Sequence, residues 1–104
     1  SDKIKNMMYV KIHRSEHTEI IAVCDKNLLG KKITENALEL SIKKSFYKGE
    51  LMEKEEVIRL LKTADNTNLV GDEAVSCGLE AGIITEDSIM IIGGLKHAQF
   101  YSFG

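Results

Sequence analysis

The sequence predicts an α+β fold: a single compact domain built on a mainly antiparallel or mixed sheet of about five strands with two main helices. Three observations predict it. Met8, Val10 and Ile12 alternate with Tyr9, Lys11 and His13 at the period of a half-buried strand. Two later stretches, 53–64 and 72–81, carry apolar residues at helical spacing. An apolar run, Ile89 to Ile92, is followed by a glycine pair and a second extended stretch, so the chain ends as it began, in strands. A chain of 104 residues is one domain long. Burying roughly 60–70% of its unfolded surface, it needs neither metal nor disulfide to hold a core. We assign 1–6 to a flexible N-terminal tail and 7–104 to the domain.

After the first strand, Arg14 to Thr18 forms a polar turn. Ile20 to Cys24 is apolar at every position, which calls for cover on both faces and so for a central strand. Asp25 to Gly30 reads as a connection. Leu38, Leu40 and Ile42 alternate with Glu39, Ser41 and Lys43 as a third strand with a charged outward face, and Phe46 to Gly49 as a compact aromatic turn. The helix over 53–64 buries Val57, Leu60, Leu61 and Ala64. It starts with Glu53, Glu55 and Glu56 and ends near Arg59 and Lys62, the polarity that suits the helix dipole, with Glu55 and Arg59 spaced to pair. No N-cap residue precedes it. Asp65 to Asn68 breaks the helix. Asp72 is the expected N-cap of the second helix and Gly82 its left-handed C-cap, with Ile83 packing behind. Gly78 inside that helix signals a close neighbour. Gly93-Gly94 is either a two-residue hairpin turn or part of a wider loop. In the tight hairpin His97 lies opposite Met90.

The net charge of −2 hides an uneven distribution. Residues 1–50 hold ten Lys and Arg against seven Asp and Glu, whereas 51–104 hold four against nine. Lys26, Lys31, Lys32, Lys43, Lys44 and Lys48 outnumber Glu35 and Glu39 within the basic part. Lysine is a mobile point charge suited to phosphates and ill suited to reading base edges. If these side chains share a face, salt-sensitive and sequence-indifferent contact with RNA follows. With only six aromatic residues, few rings can be spared from the core for stacking, which again favours backbone contact. Cys24 and Cys77 stand alone, without partners at metal-ligand spacing, and read as buried apolar residues. No apolar run is long enough to span a bilayer, so no membrane partner is expected and the cytoplasm is the expected compartment.

The segment Gly93-Gly94-Leu95-Lys96-His97-Ala98-Gln99 holds the densest local chemistry. Glycines let backbone approach a ligand, and alternation would turn His97, Gln99 and Tyr101 to one side. His97 is the candidate general base, with Asp72 or Asp65 to orient it. Asn68 and Asp72 either satisfy amides at a helix start or orient a bound anion. No nucleophile elbow, Walker loop, dinucleotide fingerprint or Cys-x-x-Cys pair is present, and no cofactor or metal is expected. His13 and His17 straddle a turn and make a poor metal pair.

The strings Tyr9-Val10-Lys11-Ile12-His13-Arg14, Ala22-Val23-Cys24-Asp25, Phe46-Tyr47-Lys48-Gly49-Glu50-Leu51, Ala64-Asp65, Asn68-Leu69-Val70-Gly71 and His97-Ala98-Gln99 occur in that order. Together they resemble a small archaeal family known as domain of unknown function 424, across nearly the whole chain from Met8. Lys96 stands where that family tends to have a proline. The resemblance implies an archaeal cytoplasmic protein near the translation machinery, and no assigned activity.

The leading expectation is a noncatalytic accessory or adaptor protein that contacts RNA or a ribonucleoprotein through Lys31, Lys32, Lys43, Lys44, Lys48 and their neighbours. Asn68, Gly93, Gly94, His97 and Gln99 complete the candidate binding set, with the acidic half and the Gly93–Gln99 segment turned to a protein partner. The alternative is a small enzyme or ligand-binding protein centred on His97, Gln99 and Asp72. Exposed sheet edges also allow a homodimer.

Overall fold

Strand β1 (Met8–Arg14) alternates as anticipated, with Met8 and Val10 buried, and pairs antiparallel with β2 (Glu19–Asp25). The computed structural model describes residues 6–102, so the expected tail lies almost wholly outside the described residues. Ile21 to Cys24 are all buried, the central position that an unbroken apolar run requires. The main sheet is mixed and has six strands, one more than anticipated, in the order β5-β1-β2-β6-β8-β7. Among the described residues it is accompanied by a separate two-stranded sheet and three α-helices, an α+β architecture.

The extra strands come from stretches the sequence leaves unmarked. Asn66–Val70 is a central strand, β6, parallel to β2. Its sequence Asn-Thr-Asn-Leu-Val looks like a helix break, yet Thr67 and Leu69 are buried on one side while the two asparagines turn to the other. Glu50–Met52 forms the edge strand β5 along β1. Lys32–Glu35 (β3) and Leu38–Ser41 (β4) make a two-residue hairpin through Asn36, whose φ of 56° is tolerated by asparagine. The expected third strand is therefore β4, set in this small sheet and outside the main one, and Leu38 is exposed. The aromatic turn is a single helical turn, α1 (Lys44–Tyr47).

Helix α2 spans Lys54–Leu61 with no side-chain cap, its predicted last turn relaxing through Thr63 and Ala64. Glu55 and Arg59 form no ion pair; Lys54 instead reaches Glu80 at 3.5 Å, tying α2 to the next helix. That helix, α3 (Asp72–Ala81), ends at left-handed Gly82, and the Ile83 N–H donates to the Gly78 carbonyl. Its N-cap position belongs to Gly71, and Asp72 is the first helical residue and caps nothing. The chain closes with β7 (Met90–Ile92) and β8 (Leu95–Tyr101), joined by a tight turn in which Gly93 and Gly94 both have positive φ. Met90 lies opposite His97.

Two cores lie on opposite faces of the sheet. Helices α2 and α3 bury Val57, Leu61, Ala74, Val75 and Cys77 against Val10, Ile21, Val23, Leu69 and Ala98. On the other face Ala22, Cys24 and Val70 are covered by Leu28, Ile42 and Tyr47 from the segment that crosses between β2 and β5.

Candidate functional site

That crossing segment, residues 26–48, carries six lysines and two glutamates, all of them exposed. Helices α2 and α3 of the opposite face, with their cap residues, carry six acidic and three basic side chains. The sheet thus separates a lysine-bearing layer from an acidic one. Of the six lysines only Lys32 forms an ion pair with a described residue, to Glu39 at 3.5 Å.

Backbone bonding brings the lysines together. The Gly30 N–H donates to the Ile42 carbonyl at 2.7 Å, and the Ile42 N–H donates to the Lys31 carbonyl at 2.8 Å, extending the β3–β4 ladder. Lys31 and Lys43 therefore flank one point, and the Lys44 stem runs beside Gly30, its Cε 3.3 Å from where a Cβ would stand. Lys48 follows at the far end of α1. The layer is pinned to β1 at two neighbouring points: Lys11 Nζ donates to the Ser45 carbonyl at 2.8 Å, and His13 stacks on Phe46 at 4.6 Å with its Nε2 2.7 Å from the Phe46 carbonyl.

Other candidates part company. Gly93 and Gly94 do not open a ligand loop, because the turn is tight and the Gly93 N–H is already taken by Glu35 Oε1 at 3.0 Å. The glycine pair serves to dock the β3–β4 hairpin. His97 and Gln99 face the lysine side of the sheet, by alternation with Ala98 in the helical core, whereas Asp72 opens α3 on the opposite side. The grouping of His97, Gln99 and Asp72 is not assembled on one face. His97 is half-buried, and burial lowers its pKa from the usual 6.5, so it is neutral near pH 7. Asn68 lies in mid-strand, away from any helix start, and its Oδ1 accepts a hydrogen bond from Gln99 Nε2 at 2.8 Å.

The family model described as "Protein of unknown function (DUF424)" matches residues 13–103. The chain belongs to this family. A crystal structure of an uncharacterized conserved protein from Methanopyrus kandleri is 31% identical with a TM-score of 0.81, covering 91% of this chain and 90% of that one. No curated protein matches. The family match takes in all but the first seven described residues.

Sequence reasoning missed Asp25. Its carboxylate accepts the N–H of Ala74 at 2.8 Å and that of Glu73 at 3.1 Å, capping α3 from the end of β2. Burial raises its pKa above the usual 3.8, and the two amide bonds work against that rise. The only signal was a lone carboxylate closing an apolar run. Among the described residues, no group of three or more His, Cys, Asp or Glu side chains is placed to hold a metal ion, and no helix is long and apolar enough to cross a membrane.

Proposed function

We propose that this protein is a noncatalytic accessory or adaptor that contacts RNA, free or within a ribonucleoprotein of the translation machinery, through the lysines of residues 26–48. The observation that carries the reading is the division of charge by the sheet: six lysines against two glutamates in the layer on one side, six acids against three bases on the two helices and their caps on the other. A polyanion is attracted to the first layer and repelled by the second, so the molecule approaches in one orientation. Lysines make such contact tolerant of sequence. Two unpaired, buried thiols are in keeping with the reducing cytoplasm. The acidic helical layer is left to a protein partner. Separation of Asp72 from His97 and Gln99 weakens the enzymatic alternative.

Anisotropy titration against a structured RNA between about 50 and 200 mM salt tests the reading, with binding expected to fall steeply as salt rises. Charge reversal at Lys43 and Lys44 together is expected to weaken binding to every sequence and to reduce the magnitude of the log–log salt slope by about 2. Absence of binding at low salt, or binding indifferent to salt, would overturn it.

A further inference from the structure

The lysine layer covers only one end of its sheet face. It seals Ala22, Cys24 and Val70 and stops short of Asn66, Asn68, Gln99 and Tyr101, which share that face by strand alternation. Register sets Ala22, Asn68 and Gln99 in one row across three strands and Asn66 opposite Tyr101 in the next. Gln99 is exposed, Asn68 and Asn66 are half-buried, and Tyr101 is 55% exposed.

The two amides are joined by one hydrogen bond, Gln99 Nε2 to Asn68 Oδ1, at 2.8 Å. That bond leaves the Gln99 carbonyl oxygen as an acceptor and the Asn68 amide N–H groups as donors. Reversing both amides would exchange the roles and still present one donor beside one acceptor. A neighbouring donor and acceptor held in fixed register complement the edge of a nucleobase, which offers the same pattern in reverse.

Beside this pair, Asn66 and Tyr101 line a hollow of about 210 Å³ together with His17, Thr18, Glu19 and Asp65. Two carboxylates in its wall disfavour a phosphate there. Glu19 Oε2 already accepts from Arg14 Nε at 2.9 Å, and the Asp65 carboxylate suits the amino group of an uncharged base, which donates to carboxylate oxygens. The phosphate-attracting lysines and the base-accepting floor are thus adjacent on one face and chemically distinct. Duplex RNA hides these base edges, whereas single-stranded RNA can splay a base out while its backbone stays on the cationic layer.

We infer that the floor formed by Asn66, Asn68, Gln99 and Tyr101 is a subsite for one unpaired nucleobase of single-stranded RNA whose phosphates run over the adjoining lysines. It rests on the RNA reading above and adds to that reading a base contact.

Short homopolymeric oligoribonucleotides of each base, and a duplex of the same length, are titrated with the full chain by fluorescence anisotropy at fixed salt. Wild type is expected to bind single strands more tightly than duplex and to rank the four bases. Asn68→Ala and Gln99→Ala are each expected to weaken the preferred oligomer about tenfold, the scale of one good base contact, with the salt slope unchanged. The lysine-reversal variant is expected to weaken single strand and duplex alike. Thermal melts confirm that each variant is folded, and Gln99, being exposed, is the safer of the two. Salt-dependent RNA binding that ignores both amide substitutions would overturn the subsite and leave the lysine reading standing. A wild type that binds no RNA at all sinks both. An equal loss across all bases and duplex would also overturn the subsite.

Discussion

Asp25 Oδ1 lies 2.8 Å from the backbone nitrogen of Ala74, so the end of the central strand β2 caps a helix that begins 47 positions later in the chain. The bond is possible because Gly71 stands beside it. With φ at 106°, Gly71 adopts a conformation side chains rarely accept, and a Cβ there would fall 2.3 Å from the Asp25 Cγ. The start of α3, the end of β2 and the end of β6 therefore form one unit.

Asp25→Ala is expected to destabilise the protein by about 1–2 kcal/mol through loss of the cap, measured by urea unfolding. Gly71→Ala is expected to cost at least about 2 kcal/mol. Because both break one contact, the double variant should cost clearly less than the two losses combined. Full additivity would show that the cap is not what Gly71 protects. The pH sign is also fixed. A carboxyl whose folded pKa is raised binds its proton more tightly in the folded state, so its contribution to stability falls as pH rises from 3.8 through the raised value. The stability advantage of wild type over Asp25→Asn should shrink across that interval.

Gly78→Ala is expected to destabilise by about 1–2 kcal/mol, although alanine is ordinarily the better helix former by about 1 kcal/mol. An added Cβ would lie 2.5 Å from Leu69 Cδ1 and 2.9 Å from Ile84 Cδ1, both in the core. A gain in melting temperature would show that the core yields more easily than its packing implies.

His97 has the opposite linkage to Asp25. Burial lowers its folded pKa, so the stability it supports is present above the unfolded value of 6.5 and is lost as pH falls through the lowered one. Wild type should weaken relative to His97→Gln between neutral and mildly acid pH. Titration of the His97 ring by NMR should show a midpoint below 6.5. A midpoint at or above it would require a charged partner.

Cys24 and Cys77 are buried, and burial pushes each thiol up to about 12. Neither should react with a thiol reagent in the native protein at mildly alkaline pH, and both should react fully in denaturant. Rapid native labelling of either would indicate local opening.

Elements whose sequence obeys one strong period were legible: β1 by its alternation, β2 by its unbroken apolar run, α3 by its glycine stop, and the tight hairpin as one of two options for Gly93-Gly94. β6 was hidden because Asn66 and Asn68 look like turn residues until their side of the sheet is known to be open. β3 and β5 are too short to show a period. Gly78 announced its close packing correctly. Asp72 resembled a cap by position alone, since proximity in sequence cannot reveal a carboxylate arriving from β2.

The chain by itself determined the α+β class, the central place of Ile20 to Cys24, both main helices and the uneven distribution of charge, because each follows from local periodicity, end chemistry or composition. Tertiary structure decided the sides: it set the lysines on one face and the acidic helices on the other, parted His97 and Gln99 from Asp72, joined Asn68 to Gln99, and gave the helix cap to Asp25. These are relations between residues distant in sequence, fixed by strand order and register, which no local pattern encodes.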